Sequence, residues 1–181
     1  MAMLRIYQDT NPRDALQHIQ DKTQIAAELN KAGVRYQQWH TDAAIKPGDS
    51  PENIIAAYRA EIDKLIAEEG YQSMDVVSLN SDHPQKAELR KKFLDEHTHG
   101  EDEVRFFVAG QGLFSLHIAD KVYEVLCTQG DLISVPANTP HWFDMGPNPH
   151  FVAIRLFNNP AGWVAHFTGN NIASQFNRLH N

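Results

Sequence analysis

The residues best placed to do chemistry lie in the run Glu96-His97-Thr98-His99-Gly100-Glu101-Asp102-Glu103-Val104-Arg105. In an extended strand, side chains two apart share a face. His97 and His99 therefore aim at a common point. Glu103 and Arg105 keep the same parity and join that face if the turn at Gly100 preserves register. Two imidazoles converging with a carboxylate suit a first-row divalent metal. A second run, from Gly130 through Pro136 and Pro140 to His141, reads as a glycine turn, a strand, a proline-containing turn and a histidine. It puts His141 on a neighbouring strand as a third imidazole. Any one of the ten histidines is more often a surface or core residue than a ligand, so the expectation rests on the two runs together.

Other side chains near these runs have two readings each. Arg105 shares the ligand face by parity, where a guanidinium would stabilise an anionic substrate; pairing with Glu103 is the structural alternative. Glu96, beside the first ligand, is either a hydrogen-bond acceptor behind the site or a general base, with an exposed acid as the plain alternative. Arg155 alternates in phase with Ala153 and Phe157, and so faces either the same interior or a structural partner. His117 is read as a structural histidine.

These residues need elements to position them. The first half reads as mostly helical and the second as mostly strand. Leu4–Tyr7 is short enough for an edge strand. Asp14–Ala32 carries a helical pattern stopped by Gly33, Val34–Trp39 reads as a strand, and Lys46–Asp49 as a loop. Ser50, Pro51 and Glu52 form a strong helix start, and the apolar spacing from Ile54 to Ile66 extends that helix to Gly70. A shorter helix covers Gln85–Leu94. From Val104 the period becomes two, with strands expected over Val104–Val108, Leu113–Ile118, Lys121–Cys127, Asp131–Val135 and His150–Phe157. Gly110 is read as a turn closing the first of these. Short strands at such spacing point to a sandwich or barrel, with the helices decorating it.

The bulk composition limits the function classes. The 181 residues suit one domain, 1–181, with barrel motifs over about 90–160 and the first 90 residues as decoration. A net charge of -7 argues against nucleic acid and anionic membranes as partners. The single cysteine, Cys127, cannot form an internal disulfide, and neither a signal peptide nor a membrane span is evident. The cytoplasm is the expected location.

The two runs resemble the paired motifs of the cupin superfamily, a jelly-roll barrel fold. The first reads His97-x-His99-x3-Glu103-x6-Gly110 and the second Gly130-x5-Pro136-x-Asn138-x2-His141. Lys91 stands where the first motif begins with glycine, Asn138 replaces a glycine of the second, and Met145 replaces its final asparagine. None of these removes a ligand, and asparagine accepts the positive φ that a glycine there would supply. The strings EHTHGEDEVRF and VPANTPHWFDMG, with the helical first half and the length, are similar to bacterial members of the acireductone dioxygenase family of methionine salvage.

That resemblance implies a mainly β cupin with added helices and one Fe(II) or Ni(II) per chain. The implied substrates are O2 and 1,2-dihydroxy-3-keto-5-methylthiopentene, an acireductone. With iron the products would be formate and 2-keto-4-methylthiobutyrate; with nickel, formate, carbon monoxide and 3-methylthiopropionate. It also implies a monomer, and an aromatic wall for the substrate tail at Phe93, Phe143 and Trp163, for which ordinary core packing is the alternative. The rival readings are a metal-dependent cupin isomerase, a dioxygenase for another diketone or enediol, and a non-catalytic cupin that binds a small ligand.

Overall fold

A computed structural model describes residues 2–40, 45, 49–159 and 164–181. Lys46, Pro47 and Gly48, expected as a loop, and the pocket candidate Trp163 lie outside the described residues.

One long strand organises the site. β6 (Glu103–Ile118) is 16 residues long and belongs to both walls of a barrel. Its first part pairs with β8 (Asp131–Val135) and β10 (Phe151–Phe157), its second with β7 (Lys121–Thr128) and β9 (His141–Asp144), all antiparallel. The two strands expected over Val104–Val108 and Leu113–Ile118 are therefore one strand that changes sheets, and Gly110 is its bend rather than a closing turn. Gly110 has φ 73°, and a Cβ there would stand 1.8 Å from the carbonyl oxygen of His150, so only glycine fits.

Alternation along β6 divides the core. Val104, Phe106 and Val108 point outward into a cluster closed by Ile54, Tyr58, Ile62 and Leu65 of α2 (Pro51–Ala57), α3 (Arg59–Glu69) and the residue between them. Phe107 and Phe114 point inward to meet Phe143, Phe151, Ile133 and Val135 between the walls. The outer helices thus shield one sheet while the barrel interior stays available for a site. This is the mainly β cupin barrel with added helices that the motifs implied.

Several expected elements differ. The helix expected over Asp14–Ala32 is a short strand, β2 (Gln17–Ile19), followed by α1 (Lys22–Lys31). Asp21 sets that boundary because its carboxylate accepts from the Gln24 backbone N–H as an N-cap. β1 (Met3–Gln8) is not an edge strand but lies between β2 and β7. The helix expected from Ser50 to Gly70 breaks at Tyr58, whose φ/ψ of -113°/18° leaves the helical region. Two further strands complete the sheets: β3 (Arg35–Gln38), within the expected Val34–Trp39, and β4 (Ser73–Leu79), which has no counterpart in the sequence reading. β4 lies against β10 with its side chains only partly buried, which blurs the alternation that marks a strand. α4 (Lys86–Leu94), β5 (His97–Thr98) and β11 (His166–Phe167) surround the barrel mouth.

Candidate metal centre

Backbone pairing brings the two histidine runs together. His97 on β5 lies directly opposite His141 on β9, and β9 is itself paired with β6. Two hydrogen bonds clasp the turns between them: Asn138 N–H donates to the His99 carbonyl at 2.8 Å, and Ala137 N–H donates to Asp102 Oδ1 at 2.7 Å. Asn138 takes the positive φ expected of it, 61°. Glu103 enters at the start of β6, opposite Val135.

The four side chains converge and are all buried. One ligand nitrogen from each of His97, His99 and His141 lies within 4.8 Å of the others. Glu103 Oε2 stands 3.1 Å from His99 Nε2 and 3.5 Å from His141 Nε2. The protonation pattern follows from the other ring nitrogens. Nδ1 of His97 is 2.7 Å from the Asp95 carbonyl, Nδ1 of His99 is 3.1 Å from that of Val164, and Nδ1 of His141 is 2.8 Å from that of Thr139. A carbonyl only accepts, so each Nδ1 carries a hydrogen, and it is Nε2 of each ring that is left to bind a metal. Burial and the neighbouring His141 push His97 down to about 4, which keeps it neutral near pH 7. Burial works against ionisation of Glu103, but the Arg105 guanidinium beside it prevails and the carboxyl is held well below its usual range.

Glu103 Oε2 is a buried carboxylate oxygen with no hydrogen-bond partner, beside Nε2 of His99 and of His141; with those rings neutral it faces two nitrogen lone pairs. Lone pairs gathered this way repel unless a cation lies among them. The nitrogen and oxygen donors, with their tautomers held by backbone carbonyls, fit a divalent transition metal.

A cavity of about 450 Å³ opens beside this cluster, and Phe93, His99, Arg105 and Arg155 line it along with the segment around Val164–Phe167. Arg105 pairs with Glu103, its Nη2 donating to Glu103 Oε1 at 2.7 Å, and also lines the cavity. Arg155 lies opposite Arg105 in the sheet register. Its Nε donates to Asp75 Oδ1 at 2.8 Å and its Nη2 to Asp75 Oδ2.

The remaining candidates divide. Phe93 is on the cavity wall. Phe143 is instead packed in the core beneath Arg105, its ring centroid 4.7 Å from the guanidinium carbon. Glu96 has the opposite parity to His97, and both its oxygens are engaged elsewhere: Oε2 lies 2.7 Å from His117 Nδ1, and Oε1 accepts from Thr168 Oγ1 at 2.8 Å. His117 completes a chain through Nε2 to Asp9 Oδ2 at 3.1 Å. Burial opposes charging of His117, but the two carboxylates prevail and raise its pKa. Asp9, Asp75, Val164, Phe167 and Thr168 escaped the sequence reading. No local pattern marks them, since Asp9 meets His117 across 108 residues and the Val164 carbonyl meets His99 across 65.

Comparison with known proteins agrees with this geometry. The ARD/ARD' family matches residues 3–165. An acireductone dioxygenase of Alcanivorax borkumensis is 62% identical over 97% of both chains. One of Pseudomonas fluorescens is 62% identical over 99% of both. A solved acireductone dioxygenase of Bacillus anthracis, with a cadmium ion in its active centre, superposes with TM-score 0.79 at 33% identity, over 92% of this chain and 98% of that one. With a match that spans nearly its whole length, the chain belongs to the ARD/ARD' family.

Proposed function

We propose that this chain is a metal-dependent dioxygenase that cleaves the acireductone 1,2-dihydroxy-3-keto-5-methylthiopentene with O2 in methionine salvage. His97, His99, Glu103 and His141 hold one iron or nickel ion per chain. The observation that carries this reading is the Glu103 oxygen, without a hydrogen-bond partner, beside Nε2 of two buried imidazoles next to a cavity that His99 and Arg105 line. When bound, the metal supplies Lewis acidity that favours the deprotonated, electron-rich enediol.

The chain's own groups do the rest. Arg105 faces the cavity with a charge fixed by Glu103 and backed by the rings of Phe114 and Phe143 at 4.9 and 4.7 Å, and it stabilises the substrate anion. Arg155, steadied by Asp75, adds a second positive charge on the same wall. Phe93 supplies apolar surface for the thioether tail. Glu96, with both oxygens already engaged, serves as a positioning residue rather than as the proton acceptor. Residues 1–181 act as one domain and as a monomer in the cytoplasm; no described helix is long and apolar enough to cross a membrane.

The test is metal analysis combined with oxygen uptake on synthetic acireductone after reconstitution with iron or nickel. About one metal per chain, oxygen consumption and formate are expected, and the second product reports which ion was loaded. Turnover without oxygen would replace the dioxygenase with an isomerase. Metal and ligand binding without turnover would leave a binding module.

A further inference from the structure

Among the described residues only three large hydrophobic side chains stand exposed, Leu16, Val164 and Phe167, and two of them line the mouth of the metal-centre cavity. Phe167 is 57% exposed, yet the strap that carries it is tightly held. At one end the Val164 carbonyl faces His99 Nδ1 at 3.1 Å. At the other, Thr168 donates twice to Glu96, from its N–H to the carbonyl at 3.1 Å and from Oγ1 to Oε1 at 2.8 Å. Between them Phe167 pairs with His97 in the sheet, and the two ring centroids lie 5.7 Å apart at 61°.

A positioned aromatic left open to water at a cavity rim is a surface awaiting an apolar ligand group. The cavity lining is mixed: Arg105, Arg155 and Lys92 offer positive charge, whereas Phe93, Val164 and Phe167 offer apolar surface. A substrate with an anionic head and an apolar tail matches both, with the head toward Arg105 beside the metal centre and the tail toward the rim. We infer that Phe167 is a specificity-determining residue whose ring covers the apolar tail of the substrate, and that the Thr168–Glu96 hydrogen bonds hold it in place. The inference rests on the acireductone reading above.

The experiment compares kcat/KM for two acireductones, one with the methylthioethyl tail and one with a single methyl in its place. It uses the reconstituted parent, Phe167→Ala, Phe167→Leu, Thr168→Val and Thr168→Ser, with metal content measured for each. Removing the ring should lower kcat/KM for the tailed substrate about tenfold more than for the truncated one. Phe167→Leu should fall between. Thr168→Val should move the same ratio in the same direction, and Thr168→Ser should restore it. Equal losses on both substrates, an unchanged ratio, or losses that track missing metal would each overturn the inference while leaving the dioxygenase reading intact. A fully loaded parent that consumes no oxygen with either substrate would instead remove that reading, and this inference with it.

Discussion

Two groups of histidines and carboxylates lie back to back in this barrel, and they use the same side chains for opposite ends. His97, His99 and His141 each satisfy Nδ1 with a backbone carbonyl and turn their other ring nitrogen to a common point, where Nε2 of His99 and of His141 lies beside Glu103. His117 places a carboxylate on each nitrogen, Glu96 on one and Asp9 on the other. The groups share a backbone: Glu96 precedes His97, and His117 N–H donates to the carbonyl of Pro140, which precedes His141. What separates a metal site from an ion-paired strut is thus the ratio of the two groups: three imidazoles gather around one carboxylate in the first, and a single imidazole lies between two carboxylates in the second. Excess imidazole donors suit a divalent metal, and excess carboxylates favour a protonated ring.

The sharpest way to break the comparison is to remove a ligand. His141→Ala should lower metal affinity by about a hundredfold or more and abolish most turnover. Metal occupancy equal to the parent's, measured by elemental analysis, would count against His141 as a ligand. Arg105→Ala comes next, with turnover expected to drop by about a hundredfold while metal stays near one per chain. Parental activity would reduce Arg105 to a partner for Glu103.

The two groups should also respond to pH with opposite signs. In metal-stripped protein, His97 titrates near 4 when folded, below its unfolded value of about 6.5. Its contribution is present above pH 6.5 and is lost as pH falls through 4, about 3 kcal/mol in all. Denaturant unfolding of the stripped protein between pH 7 and 4 measures this, and saturating metal should oppose the decline. Unfolding free energy that stays flat over that range would show that His97 is not held neutral.

His117→Gln should cost about 2 kcal/mol, because buried Glu96 loses a charged donor, and metal content should stay at the parental level. The smallest effect is the pH slope that this variant removes. The folded pKa of His117 is raised, so its stabilisation is complete below pH 6.5 and fades as pH climbs through the folded value. An alkaline decline that persists unchanged in His117→Gln would assign it to another group.

Much of the metal centre was legible because it depends on parity, and parity is local. His97 and His99 are one pair two apart and Glu103 and Arg105 another, so extended chain puts each pair on one face, and the turn between β5 and β6 brings the pairs together. Barrel strands with clear alternation were legible for the same reason. Where local pattern and tertiary pairing disagree, the reading failed. Leu16 and Ile19 fit a helical period, but the Leu16 N–H donates to the Ile6 carbonyl and the segment becomes strand. The apolar spacing from Ile54 to Ile66 continues through Tyr58 although the helix does not. For Phe143 the resemblance left a tail wall and core packing open, and the ring lies in the core 4.7 Å from the Arg105 guanidinium carbon.

By itself, then, the sequence determined which donors exist, that each pair two apart shares a face, and that a barrel of short strands carries them, since each follows from local spacing. Only the tertiary structure decided that the Val164 carbonyl holds His99, that Glu96 turns to His117 and Thr168, and that the 164–168 strap walls the cavity. Those features join residues 65, 21 and 72 positions apart, and no local periodicity encodes a distance of that kind.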